Sequence, residues 1–298
     1  MPAVLLSRLD QQIKASLSTF DRPNVFVANL VSILELYSDR TYQAGIEVPS
    51  SSKILSYRVP DVVIRSLELE LRHLATKHAE EALHVADELW SGNRLDLKEL
   101  GIALLGFIPV ESSLQVMERI ENWAPDCLDG FLLEDLLARS SPVILHEIPS
   151  LWLDKLRGWL NSNDSKFKIL GLKSIEPLLK TEDFNDLPQL LDSIHSMVVN
   201  FTVDLFPEMF HLFQILVERY PIETVAYLKH VIAENPGSST FRLVRRILPS
   251  LTAPMQLSLR TAMETPEIRS LPFIESPALD RKKPVRKTTK TKPKSSSF

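Results

Sequence analysis

A chain of 298 residues with 44% apolar side chains can bury one large core or two small ones. Its 8 glycines are too few for a sheet with Gly-rich βαβ turns or a many-turned sandwich. Its 1 cysteine excludes an internal disulfide and a Cys-based zinc site, and points to a reducing, intracellular compartment. Charge is divided unevenly: residues 281–298 hold 8 of the 34 bases and no acid, which leaves 26 bases against 38 acids, a net of −12, in residues 1–280. A polyanion is drawn to the basic tail and on average repelled by the rest, so any nucleic-acid surface on residues 1–280 has to be local.

The opening MPAVLLSRLDQQIKASL turns charged and amphipathic before a secretory apolar stretch can form. No run reaches the roughly 18 to 20 uncharged apolar residues of a membrane span, so the expectation is a soluble protein with no membrane partner. Apolar residues then recur at spacings of three and four nearly throughout. In 85–108, for example, Leu97, Leu100, Leu104 and Phe107 form one stripe that needs a partner helix. The pattern predicts helices over 3–18, 24–38, 60–75, 78–90, 95–107, 110–122, 128–139, 150–161, 165–180, 187–199, 207–219, 222–234, 238–248 and 252–263. A polar loop is expected at 43–57.

Pro60, Pro109, Pro125, Pro142, Pro149, Pro188, Pro207 and Pro221 fall at the boundaries, where a first-turn proline loses no needed hydrogen bond. Short links and pairs spaced by roughly 35 to 45 residues suit an all-α fold of stacked antiparallel helix pairs, a curved HEAT-like solenoid in which each pair buries its apolar face on its neighbours. Two parts follow: a HEAT-like α-helical repeat domain at 1–264 and a disordered basic C-terminal tail at 265–298, whose Pro, Lys, Thr and Ser cannot offset ordering entropy by burial.

Five segments, in order, resemble the AlkD-like DNA alkylation repair family of HEAT-like repeat proteins: SYRVPDVVIRSL (56–67), HVADELWSGNRLDLKELGIALLGFI (84–108), IENWAPDCLDGFLLEDLL (120–137), LRGWLNSNDSKFKILGLKSI (156–175) and LFQILVERYPIETVAYL (212–228). The resemblance spans roughly 55–235. It implies a protein that holds duplex DNA in a concave groove, with a DNA glycosylase activity that hydrolyses the N-glycosidic bond of N3- or N7-alkylated purines. Alkylation makes the base a cationic leaving group, so a carboxylate that stabilises the cationic sugar and aromatic faces that hold the base suffice in principle. The resemblance places Asp129 as that catalytic carboxylate, with Trp123 near the expected aromatic and His211, beside Phe210, at the second lesion-lining position.

The residues themselves allow plainer roles. Asp126 suits a helix cap. Trp90, Trp152 and Trp159 occupy apolar helical positions and are expected in the core, as is Cys127. Lys166, Lys173 and Lys180, seven apart, share a face with Lys168 beside them, and Arg242 with Arg245 or Arg246 forms a better phosphate clamp because a guanidinium binds bidentately. These, with Lys282, Lys283, Arg286 and Lys287 of the tail, are the candidate DNA contacts. Seven scattered histidines and the absence of a Walker loop, a Gly-x-Gly-x-x-Gly or a Gly-x-Ser-x-Gly leave no metal or cofactor expected.

Two functions stay open: a DNA-binding repair protein acting as a monomer, and a non-catalytic helical scaffold for nucleic acid or a protein partner with the tail as electrostatic tether. The KKPVRK run suits a nuclear address in a eukaryote; in a bacterium the expected place is the cytoplasm, on the nucleoid.

Overall fold

The computed structural model describes residues 4–38, 54–127, 130–181, 184, 186–234 and 237–264. Asp129, the tail residues Lys282, Lys283, Arg286 and Lys287, and most of the expected loop at 43–57 lie outside the described residues. Contacts divide the chain into two units, Met1–Met263 and Glu264–Phe298.

Among the described residues the fold is all-helical, with fifteen α-helices and no strand. They are α1 (Leu6–Leu17), α2 (Pro23–Tyr37), α3 (Asp61–Lys77), α4 (Ala79–Ser91), α5 (Leu95–Leu105), α6 (Ser113–Trp123), α7 (Gly130–Ser140), α8 (Pro142–Glu147), α9 (Pro149–Leu160), α10 (Ser165–Lys180), α11 (Leu187–Val199), α12 (Phe206–Arg219), α13 (Pro221–Glu234), α14 (Ser238–Ile247) and α15 (Ala253–Met263). Every expected helix has a counterpart. The short α8 is additional, and its start at Pro142 shows that this proline opens a helix of its own.

Local chemistry explains the starts. Pro23, Pro142, Pro149, Pro188, Pro207 and Pro221 all sit in first turns, where the missing N–H costs nothing. Asp164 caps α10 by accepting the backbone N–H of Lys166 at 2.9 Å, and Asp186 caps α11 through Gln189 at 3.2 Å. Pro177 breaks the rule, lying inside α10, where its position forfeits one backbone donor.

The helices pack in two rows. In one, α1, α3, α5, α7, α10, α12 and α14 each contact the next; in the other, α2 meets α4 and α4 meets α6, while α9, α11, α13 and α15 follow one another in the same way. Pairs such as α1 with α2, α4 with α5, α9 with α10 and α12 with α13 join the rows. Side chains between them form the core, with Trp152, Phe26 and Phe213 the largest that are fully buried. Each leucine so buried stabilises the fold by about 1.5–3 kcal/mol relative to exposure.

Tryptophans act here as expected packing residues. Trp152 and Trp159 meet edge to face within α9, with centroids 5.9 Å apart, and the indole N–H of Trp152 donates to the Ser174 carbonyl at 3.1 Å, tying α9 to α10. The described end of the expected polar loop is pinned: the Tyr57 N–H donates to the buried Asp96 carboxylate at 2.7 Å and the Leu95 N–H to the Leu55 carbonyl at 2.8 Å. Residues 54–60 therefore run against the start of α5, with Arg58 at a positive φ of 55°. Among the described residues no single helix is long and apolar enough to cross a membrane.

Candidate functional site

Along the first row, α12 lies between α10 and α14 and presents different side chains to each. Toward α10 it offers Glu208 and His211. Lys173 of α10, whose side chain is only 9% exposed, donates to Glu134 of α7 at 2.7 Å and pairs with Glu208 at 3.1 Å. Burial alone would lower its pKa, but the hydrogen bond to Glu134 and the charge of Glu208 outweigh this and hold the ammonium above its ordinary value. One turn on, Glu176 pairs with Lys180 at 2.8 Å and with His211 Nε2 at 3.2 Å. Burial would raise the Glu176 carboxyl; the hydrogen bonds from Lys180 and His211 reverse that and leave it below the usual carboxylate range.

The expected lysine row is thus largely spent. Lys173 is a buried tie between three helices rather than a phosphate contact, because two carboxylates enclose its charge. Lys180 is neutralised by Glu176 of its own helix. Lys166 is exposed, its Nζ 3.4 Å from the Pro125 carbonyl, and Lys168 is half-buried; neither forms an ion pair among the described residues. His211 is exposed at the expected position but engaged with Glu176.

Toward α14, α12 offers Phe206 and Phe210, whose rings stack one turn apart with centroids 6.3 Å apart and planes within 2°. The guanidinium carbon of Arg242 stands 4.6 Å over the Phe206 ring, and that of Arg246 stands 5.4 Å over Phe210. Both arginines are exposed, as is Arg245 between them, and none of the three has a carboxylate within ion-pair distance among the described residues. Charge is concentrated here without neutralisation, on side chains oriented by cation–π contact. The arginines are legible in sequence; the two phenylalanines beneath them are not, since they lie more than thirty residues away in a different helix.

Trp123 departs from the lesion-lining expectation. Its ring is 5% exposed and stacks on Trp90 with centroids 4.6 Å apart and planes within 1°, so that face is spent on packing between α4 and α6. Lys98 covers the Trp90 ring at 4.1 Å and donates to the Trp90 carbonyl at 2.6 Å. Burial lowers the Lys98 pKa, opposed by nearby Cys127 and Asp126. Cys127 is half-buried rather than core, its thiol donating to the Trp123 carbonyl at 3.5 Å, and Asp126 ends a 3₁₀ turn after α6.

Two further features lie along α7. A groove of about 610 Å³ between α7, α8 and α10 is lined by Phe131, Leu137, Leu145 and Pro177 with Glu134, Lys173 and Glu176. Beside it, Glu68 of α3, Glu99 of α5 and Asp135 of α7, the last also lining the groove, surround Arg139, which bonds to Glu68 and stands 3.6 Å from Asp135. Among the described residues no group of three His, Cys, Asp or Glu side chains is arranged to hold a metal ion. Comparison with protein-family models, with curated proteins and with solved structures gives no match to this chain.

Proposed function

We propose that this chain is a HEAT-like helical-repeat solenoid that binds the phosphate backbone of duplex DNA, in the manner of the DNA alkylation repair proteins its segments resemble. The two rows of helices, each packed on the next in chain order, support the repeat reading. The observation that carries the DNA reading is the contrast between neighbouring faces of α12. Lys173 and Lys180 on its α10 side are neutralised, while the arginines on its α14 side stand exposed without a carboxylate partner among the described residues.

In the catalytic form of this proposal, Asp129 stabilises the cationic sugar of an N3- or N7-alkylated purine nucleotide. Water forms the new C1′–O bond and gives up a proton, and the C1′–N bond breaks with its electron pair leaving on the base, which thereby loses its positive charge. Incubation with duplex DNA carrying N7-methylguanine tests it. Base release that disappears in Asp129→Asn, with duplex binding retained, is expected; no release above background from a protein that binds the duplex rejects catalysis and leaves a binding protein.

A second reading, a non-catalytic scaffold for a protein partner, is favoured by the net charge of −12 in residues 1–280 and by the apolar groove beside α7. Failure to bind duplex DNA at low salt would favour it over the first.

A further inference from the structure

We infer that the α12–α14 face reads nucleic-acid backbone and not bases, with Phe206 and Phe210 serving as positioning residues for the arginines above them; this rests on the DNA-binding reading. A surface that takes unpaired bases usually offers open aromatic faces on which they stack. Here the two rings of α12 are stacked on each other one turn apart, half-buried, and roofed by guanidinium groups. What reaches solvent is the cationic edge, a donor array matched to phosphate oxygens and indifferent to sequence.

The spacing supports the same ligand. Arg242 and Arg246 are four residues apart, which sets them about 6 Å apart along the axis of α14, with Arg245 beside them. Phe201 leans on Phe206 at 6.1 Å, so the aromatic support extends beyond one turn into the core, where Phe201 is buried. An arginine held over a ring loses less rotamer freedom on binding than one that is free in solvent. The ligand class is therefore a phosphodiester chain of high charge density, a duplex before a single strand, with no preferred sequence.

Salt titrations of the full chain with fluorescein-labelled duplexes of several sequences, read by anisotropy, test the assignment. Replacing Arg242, Arg245 and Arg246 together by Ala should make the slope of log affinity against log salt shallower by about 2.7, the share of three phosphates. Phe206→Leu with Phe210→Leu should leave that slope unchanged and weaken binding about tenfold, because charge stays while the cation–π support is lost. Arg242→Lys with Arg246→Lys, which leaves the rings in place, should behave like the phenylalanine pair. Unchanged affinity and slope in the triple arginine variant, in a protein that still binds duplex, would overturn the assignment and spare the DNA-binding reading; so would a tenfold preference among duplex sequences. Wild-type affinity in both the phenylalanine and the lysine variants would remove the positioning role. Absence of any duplex binding at low salt would remove both this inference and the reading beneath it.

Discussion

Trp90 and Trp123 lie parallel to within 1°, one at the end of α4 and the other at the end of α6, and each is less than 10% exposed. The stack belongs to the core, so Trp123→Ala should cost about 3–5 kcal/mol of unfolding free energy in urea. Trp123→Phe should cost less and leave duplex affinity at the wild-type level. A Trp123→Phe protein of normal stability that had lost lesion recognition would return the ring to the site.

Glu99 gives the fold a pH dependence of known sign. Burial pushes its carboxyl up to about 7, with Asp135, Asp96 and Glu68 adding to the effect and Arg139 opposing it. The folded state then binds more protons than the unfolded chain between the ordinary glutamate range and about pH 7, so stability falls as pH rises through that window and the penalty is complete above it. Glu99→Gln should raise the melting temperature at pH about 8 by about 2–5 °C, and the advantage should vanish near pH 5. Parallel melting curves at the two pH values settle it.

Lys173 joins α7, α10 and α12 through two carboxylates. Lys173→Met should leave Glu134 and Glu208 without their shared cation and destabilise the protein by about 2–3 kcal/mol. Adding Glu208→Gln should recover part of that loss. Denaturant midpoints of the single and double variants provide the measurement; equal midpoints in wild type and Lys173→Met would show that the tie contributes nothing.

Two glycines should respond to alanine in opposite directions. At Gly106, at the end of α5, a methyl group would overlap the carbonyl oxygen of Arg139 in α7, so Gly106→Ala should cost about 1–3 kcal/mol. Gly158 lies inside α9, where an added methyl group would meet no neighbour within 4 Å, and Gly158→Ala should gain about 0.5–1 kcal/mol from helix propensity alone. Thermal unfolding of the two variants side by side checks both signs.

Periodicity and proline placement are enough to mark the helices, since amphipathic spacing and first-turn prolines are local properties of the chain. The short α8 escapes them because its six residues are fewer than two helical turns, too short to show a period. Which charges stay free is not legible. Lys166, Lys168, Lys173 and Lys180 look alike in sequence, and only the approach of Glu134 and Glu208 from α7 and α12 separates Lys173 from the others. Arg242 and Arg246 can be named as cations, but their seats on Phe206 and Phe210 depend on how α12 meets α14. Trp123 looks open in sequence because its partner, Trp90, belongs to a helix about thirty residues earlier.

The four tryptophans fall into two separate couples, one parallel between α4 and α6 and one perpendicular within α9. Near-ultraviolet light will see them differently: the face-to-face couple is close enough for exciton coupling in circular dichroism, and the perpendicular couple should emit in a way that is sensitive to loss of the Trp152 bond to α10. The chain thus carries two optical reporters, one between α4 and α6 and one within the adjoining α9, and their order of disappearance on heating would tell whether these helices come apart together or in turn.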